Sequence, residues 1–483
     1  MRQKNKYVRE LLGGSLIYGL SGMITSVIML FLVPIYTRVF TPADYGVLNL
    51  VNITYFLLTL IVVFGLDNSA ALWYWDKTEE AERKKTFASW MYFSFVISLL
   101  IAAAIVLSSE RLSLFLLQDA KYSLLLDLMA VSLVFTSWQK VINIWFRVQK
   151  KPIWAMSYAL IVSLTTIGLS IFLVVKLNFG LSGVYWAQLG ASVICFILSL
   201  ILMRNWISPI YFDQQRLREM LRFAAPLVPA VISMWLMNSA GSYFIQQYVD
   251  KAEVGLYQLG VSLASAISLA SGAFMQAWSP FAFSIAKEEN HQRTYAGIFL
   301  IYVYWSALAL LGMFLFAPEV LMVLVPPSFH DAAFVAGLVG LNIVILSLPE
   351  IVVIGCSLAK TNMPFGTATI IGSIISVILF LLLIPSNGKE GAVLATIAGN
   401  TFIFFYVYRR AQKLYFIPYD LPKAAIVIVI ALILSFAGLW ITAGESLAFA
   451  LTIKFALFAA FAAAITVFTY KIKDSVAGTF LPD

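Results

Sequence analysis

Charge is what this sequence has least of. Asp, Glu, Lys and Arg make up 12% of its 483 residues, and 61% are hydrophobic. A soluble chain carries about 25% charged residues. So few charges cannot build a water-facing surface, which excludes a soluble enzyme or binding module and requires lipid to cover most of the protein. Cysteine and histidine are scarce too. Cys195 and Cys356 fall in different segments, give no metal or redox spacing, and read as small buried apolar residues. His291 and His330 are lone loop histidines. Neither has metal partners in view, so no metal and no other cofactor is expected.

What the sequence has is apolar length. A membrane-spanning helix needs about 20 apolar residues. Fourteen such runs are present: 13–37, 44–70, 87–107, 122–146, 153–175, 180–203, 222–249, 254–283, 294–317, 332–355, 364–385, 389–408, 422–442 and 447–470. The connections are short, and none could hold a soluble domain. The fold class is therefore all-α, a polytopic membrane protein of about 14 transmembrane helices. The basic stretch Met1 to Arg9 leads into a full-length run, read as the first helix and not as a cleaved signal.

The chain also contains an echo of itself. Ala43-Asp44-Tyr45-Gly46-Val47-Leu48-Asn49-Leu50 is answered by Ala252-Glu253-Val254-Gly255-Leu256-Tyr257-Gln258-Leu259. Gly180-Leu181-Ser182-Gly183 is answered by Gly388-Lys389-Glu390-Gly391 at nearly the same offset. Two echoes at one spacing imply a duplicated domain. Spans 1–6 and 7–12 are then the two copies, and spans 13 and 14 stand outside. Six is even, so the copies are parallel repeats about an axis along the membrane normal, with a site expected between them. This gives an N-terminal lobe at 1–210, a C-terminal lobe at 211–415 and an extra helix pair at 416–483.

Of the 32 Lys and Arg residues, all but Arg38, Arg111, Lys121, Lys176, Lys251, Lys389 and Lys454 fall on one side of this topology. Positive charge accumulates in the cytoplasm, which puts both termini there. The +8 net charge is mostly topology, with some attraction to anionic lipid, and calls for no nucleic acid.

Three stretches carry a resemblance. Pro34-Ile35-Tyr36-Thr37-Arg38-Val39-Phe40-Thr41-Pro42-Ala43-Asp44-Tyr45-Gly46 resembles the opening signature of the Wzx-type O-antigen and polysaccharide repeat-unit flippases. Gly65-Leu66-Asp67-Asn68-Ser69-Ala70 and Phe146-Arg147-Val148-Gln149-Lys150-Lys151-Pro152 resemble further family stretches. The same superfamily holds lipid II flippases and multidrug and toxin extrusion transporters. The resemblance implies a transporter in the bacterial cytoplasmic (inner) membrane. It would move an undecaprenyl-diphosphate-linked oligosaccharide to the outer leaflet by alternating access, for cell-surface polysaccharide such as the O-antigen of lipopolysaccharide. The lipid tail would stay in the bilayer, and other polysaccharide-assembly proteins would be partners. A cation-coupled multidrug exporter and a lipid II flippase are the alternatives. A membrane-embedded polysaccharide polymerase needs clustered catalytic groups and a long outer loop, and neither is visible. Two departures remove charge: Leu72-Trp73 stands where the family often has Arg, and Gly241-Ser242 where many members have an Asp-Arg pair. Both argue against a strongly cationic cavity.

Polar residues in hydrocarbon are costly, so their positions are informative. In span 8, Gln258, Ser262, Ser265, Gly272, Gln276 and Ser279 recur at steps that share one helix face. In span 7, Asn238, Ser242 and Gln246 are four apart. In span 2, Asn52, Thr59 and Asp67 lie roughly on one side. Two readings are open: a hydrated cavity for sugar hydroxyls, or helix-to-helix packing. Packing is the reading for Ser15, Gly19, Gly22 and Ser26 in span 1. Asp67 is a candidate for ion coupling, with Asp127 and Glu350 as the other acids inside spans. Lys140 and Arg147 share a face and, with Arg38, are candidates for diphosphate contact, because Arg presents a planar fork to phosphate oxygens. All three also fit interface anchors. Trp73, Trp75, Trp145, Trp154 and Trp206 read as an interfacial belt. Pro226 and Pro229 are expected to kink span 7.

Overall fold

The structure is a computed structural model that describes residues 32–76 and 78–477. Apart from its last residues, the expected first span, with its small-residue stripe, lies outside the described residues. The helices are α1 (Leu32–Val39), α2 (Pro42–Val63), α3 (Leu66–Asp76), α4 (Glu80–Leu117), α5 (Ser123–Val148), α6 (Pro152–Ile171), α7 (Gly180–Met203), α8 (Gln214–Ala224), α9 (Val228–Tyr248), α10 (Lys251–Ser284), α11 (His291–Leu324), α12 (Ala332–Val352), α13 (Ile354–Leu358), α14 (Met363–Leu414), α15 (Leu421–Ile441) and α16 (Leu447–Ala477). No strand occurs among the described residues. Twelve helical segments are long and apolar enough to cross a membrane. One of them, α14, is broken at Gly388, where the backbone is not helical (φ 51°, ψ −130°). It therefore supplies two spans, and the described segments follow the expected order from span 2 to span 14. The protein is a multi-pass, all-α membrane protein.

The chain divides into two compact units, one up to Trp235 and one from Leu236. In the first unit α5 packs against α2, α4 and α7. In the second, α12 packs against α10, α11 and α14. These central helices occupy equivalent places in the sequence repeat. Their segments, Ala120–Val148 and Pro327–Leu358, are also the most buried spans, at 67% each. The helix pair α15 and α16 belongs to the second unit and packs on α11. Gly438 there sits where a Cβ would come within 2.5 Å of the Leu315 side chain.

The echoes have physical causes. Gly180 and Gly388 both adopt positive φ, 59° and 51°, a region that glycine enters without a Cβ penalty. Gly183 and Gly391, three residues later, leave no room for a side chain. A Cβ would lie 3.0 Å from Phe179 Cβ at the first and 2.4 Å from the Leu383 carbonyl oxygen at the second. The matched acids start helices. Thr41 caps α2, its hydroxyl accepting from the Asp44 N–H while the Asp44 carboxylate accepts from the Thr41 N–H. That is a reciprocal cap, with Pro42 preset at the first helical position. Asp250 caps α10 by accepting from the Glu253 N–H at 2.8 Å. Glu253 itself is released for another partner, Lys389, at 2.9 Å.

The prolines of span 7 mark a change of helix. Pro226 lies in a 3-10 turn, Ala225–Leu227, and Pro229 in the first turn of α9. The helical segment Gln214–Tyr248 passes from one helix to the next through this turn, where proline lacks the N–H that would continue the α-helical ladder. The residues ahead of them form α8, a separate amphipathic helix. Asp213 caps α8 by accepting from the Arg216 N–H at 2.9 Å. Arg216 donates to Glu82 at 2.8 Å, the Ser89 hydroxyl to the Asp213 carbonyl at 3.1 Å, and the Ser69 hydroxyl to the Met220 carbonyl at 3.2 Å. α8 is thus clamped to the first unit.

Candidate functional site

The polar stripe of α10 is best read against the side on which that helix packs. Gly260 faces α12 so closely that a Cβ would come within 2.8 Å of Val335. Ile267, two turns further on, reaches Gly340 of α12. Ala264, Ser271, Trp278 and Ala282 continue this buried side. At 100° per residue, Gln258, Ser262, Ser265 and Gln276 point to the opposite side. Gln258, Ser262 and Ser265 are half-buried and Gln276 is exposed. The Ser265 hydroxyl donates to the Ser262 carbonyl at 2.6 Å, so that group is satisfied within its own helix. Within the second unit, the stripe is not the surface that holds α10 in place.

The same separation occurs in α9. Gly241 and Phe244 meet Phe380 of α14, the two rings 5.7 Å apart. Asn238, Ser242 and Gln246 lie on another side. Asn238 is exposed, whereas Ser242 and Gln246 are buried. Gln246 is only 4% exposed, and neither its amide oxygen nor its amide nitrogen has a hydrogen-bond partner among the described residues. A buried polar group without a partner costs about 1–3 kcal/mol. Of the candidate cavity residues, this is the one whose chemistry is left open.

In the first unit the candidates of span 2 separate. Asn52 is exposed and its Oδ1 accepts from the Tyr185 hydroxyl at 3.4 Å. Thr59 is buried and donates to the Tyr55 carbonyl at 2.9 Å. The chain then breaks at Phe64 and Gly65, and Asp67 stands in the first turn of a new helix, α3. Its carboxylate accepts from the Asn68 N–H at 3.0 Å, at a helix end that favours negative charge. It lines a small cleft of about 120 Å³ with Gly65, Asn68, Leu227 and Val231. Lys140, Arg147 and Arg38 are all exposed, the first two near the end of α5 and the third near the end of α1. Glu350 is exposed beside Pro349, and Asp127 is half-buried. Trp75 and Trp154 are exposed as a belt requires, but Trp145 is buried, its ring edge-on to Trp206 at 5.6 Å.

Sequence reasoning missed the buried ion pairs. Lys454 of α16 meets Glu319 of α11 at 2.5 Å, and Lys389 meets Glu253 within the second unit. Their partners lie well over a hundred residues apart, so no local spacing announces them. The available signal was a lysine deep enough in an apolar run to need an acid.

Three comparisons bear on the whole arrangement. The fold is similar to that of "Lipid II flippase MurJ, inward closed conformation", with a TM-score of 0.73 over 93% of this chain and 98% of that one, at 15% identity. It is also similar to an inward-facing multidrug resistance MATE family transporter of the MOP superfamily, with a TM-score of 0.65 over 83% of this chain and 98% of that one, at 14% identity. The Vibrio cholerae MATE transporter VcmN in its bent form gives 0.53 over 88% and 100%, at 14%. No curated protein matches the sequence significantly. The sequence profile of the family described as "Polysaccharide biosynthesis protein" matches residues 11–286. A chain of this fold, matched over more than half its length, belongs to the polysaccharide biosynthesis protein family.

Proposed function

We propose that this protein is a flippase, a transporter and not an enzyme, that moves a lipid-linked oligosaccharide across the bacterial cytoplasmic membrane by alternating access. The observation that carries the reading is the polar side of α10, which faces away from the side that packs on α12. A helix in hydrocarbon does not keep two glutamines and two serines off its packing surface without water or a polar substrate to meet them. Family membership and a fold shared with a protein named as a lipid II flippase support a substrate that is part glycan and part lipid. On this reading the sugar hydroxyls meet Gln258, Ser262, Ser265, Gln276, Gln246, Ser242, Asn238, Asn52 and Thr59. Arg38, Lys140 and Arg147 are the diphosphate contacts, and the tail stays in lipid. The fold is also that of multidrug exporters. Flipping of an undecaprenyl-diphosphate-linked oligosaccharide in proteoliposomes, against efflux of a cationic dye, separates the two, and dye efflux without flipping would overturn the proposal.

Single cysteines give a second test. In a background lacking Cys195 and Cys356, cysteines replacing Ser262, Ser265 and Gln276 should react with a membrane-impermeant thiol reagent. Those replacing Leu263 and Ile267 should react little. Equal inertness at all five positions would place the path elsewhere.

Both termini are proposed to be cytoplasmic, because the basic connections lie on their side. Reporters fused after Asp483 and within 111–121 should then signal opposite sides, and same-side signals reject this topology. Asp67 is proposed as the coupling group. Its carboxylate accepts from the neighbouring Asn68 N–H, a contact that asparagine can also make. Asp67→Asn should therefore express normally while transport falls by about tenfold, the effect of a barrier raised by roughly 1.4 kcal/mol. Normal flipping with unchanged ion dependence removes the role.

A further inference from the structure

One end of the first unit opens into a cleft of about 650 Å³, between the last turn of α3, the start of α4 and the ends of α5 and α7. That size suits a small-molecule site. Its wall offers rings and N–H donors. The Tyr74 and Trp206 rings stack at 6.4 Å, and Trp145 meets Trp206 edge-on. Arg83 lies over the Tyr74 ring at 4.5 Å and donates to the Tyr74 carbonyl at 3.0 Å. The Lys151 ammonium lies 5.5 Å from the Trp145 ring and has no acidic partner among the described residues. The one acid of the wall, Glu80, is engaged by Lys84 at 2.9 Å.

Two donors in this wall are stranded. Trp145 is 6% exposed, and among the described residues its indole N–H has no hydrogen-bond partner and the Gln149 amide nitrogen has none either. Buried N–H groups are nearly always paired, so the cleft calls for an acceptor.

We propose that this cleft binds a phosphorylated sugar, the stranded N–H groups, Lys151 and Arg83 taking its hydroxyl and phosphate oxygens beside the half-buried Trp206. Resting on the flippase reading, it is the place where the headgroup of the lipid-linked substrate docks on the basic side before transport. A soluble sugar phosphate has the same chemistry, and the test separates the two sources.

The experiment uses the purified full chain lacking Cys195 and Cys356, with Asn205→Cys at the rim of the cleft as reporter and exposed Ile210→Cys as control. Labelling by an impermeant maleimide is timed with N-acetylglucosamine 1-phosphate, with farnesyl-diphosphate-linked N-acetylglucosamine, or with inorganic pyrophosphate. Protection of the Asn205→Cys reporter alone, by either sugar probe at concentrations about tenfold below pyrophosphate, supports the site. Protection by the farnesyl-linked probe only assigns it to the membrane-borne source. Equal protection by pyrophosphate overturns the sugar assignment, and no protection by any probe overturns the site. Adding Gln149→Leu and Lys151→Gln should raise the half-protecting concentration about tenfold, and an unchanged value also overturns it. Wild-type flipping without protection refutes this cleft alone, whereas protection without flipping refutes the flippase reading alone.

Discussion

Lys454→Ala should destabilise the second unit by about 3–5 kcal/mol, the usual cost of removing one partner of a buried ion pair. Lys454 is 3% exposed, and its ammonium lies 2.5 Å from one Glu319 oxygen. The other oxygen of that carboxylate is buried without a partner among the described residues. Alanine would leave the charge with neither water nor a counter-ion, so Glu319 must take up a proton or the packing of α16 on α11 must open. Thermal inactivation in detergent should move down by several degrees. The paired change Glu319→Leu with Lys454→Met should recover most of the loss, because a well-packed apolar pair often replaces a buried ion pair at no cost. An unchanged midpoint for Lys454→Ala would mean that the pair is hydrated. Failure of the double variant would mean that the pair has a role beyond neutralising itself.

Gln246→Leu should do the opposite to stability and harm transport. Leucine is close in volume to glutamine and removes both stranded amide atoms, so the folded state should gain about 1–3 kcal/mol. Transport of the lipid-linked oligosaccharide should fall by about tenfold or more, because the amide left open in this structure is the one that a hydroxyl-bearing substrate can satisfy. Thermal stability and proteoliposome flipping, measured on the same preparation, read the two effects separately. Loss of stability with normal flipping would show that Gln246 is held by ordered water as part of the core.

Much of this architecture is legible in the sequence because hydrocarbon imposes a length rule. The spans from 44–70 to 447–470 all have counterparts among the helices. The two echoes are legible because they encode backbone requirements: a positive φ at Gly180 and Gly388, close approach at Gly183 and Gly391, and capped helix starts at Thr41 and Asp250. What escapes is whatever depends on partners far along the chain. The break at Phe64 falls inside a run apolar enough to read as one span, 44–70, so hydropathy did not separate the two helices. α8 is too polar to read as a span, and its clamp to Glu82 and Ser89 is purely tertiary. Helical spacing groups Asn238, Ser242 and Gln246 correctly on one side of α9, yet cannot say that Gln246 alone among them is buried with both amide atoms unpaired. Spacing likewise grouped Lys140 with Arg147 but gave no hint of the stranded donors at Trp145 and Gln149.

The clamp on α8 bears on the order in which the protein is made. The groups that hold this helix, Ser69, Glu82 and Ser89, all precede it, and its own contributions end before Ala225. Once the first 224 residues have left the ribosome, the docking helix has these partners in hand. The remaining 259 take roughly ten to fifty seconds at ordinary synthesis rates. During that interval α8 can dock on α3 and α4 before the trailing copy is complete, so these segments are already engaged when its helices emerge. For a chain built from two similar halves, in which a helix of one copy could pair with the wrong copy, such a head start guards against scrambled assembly.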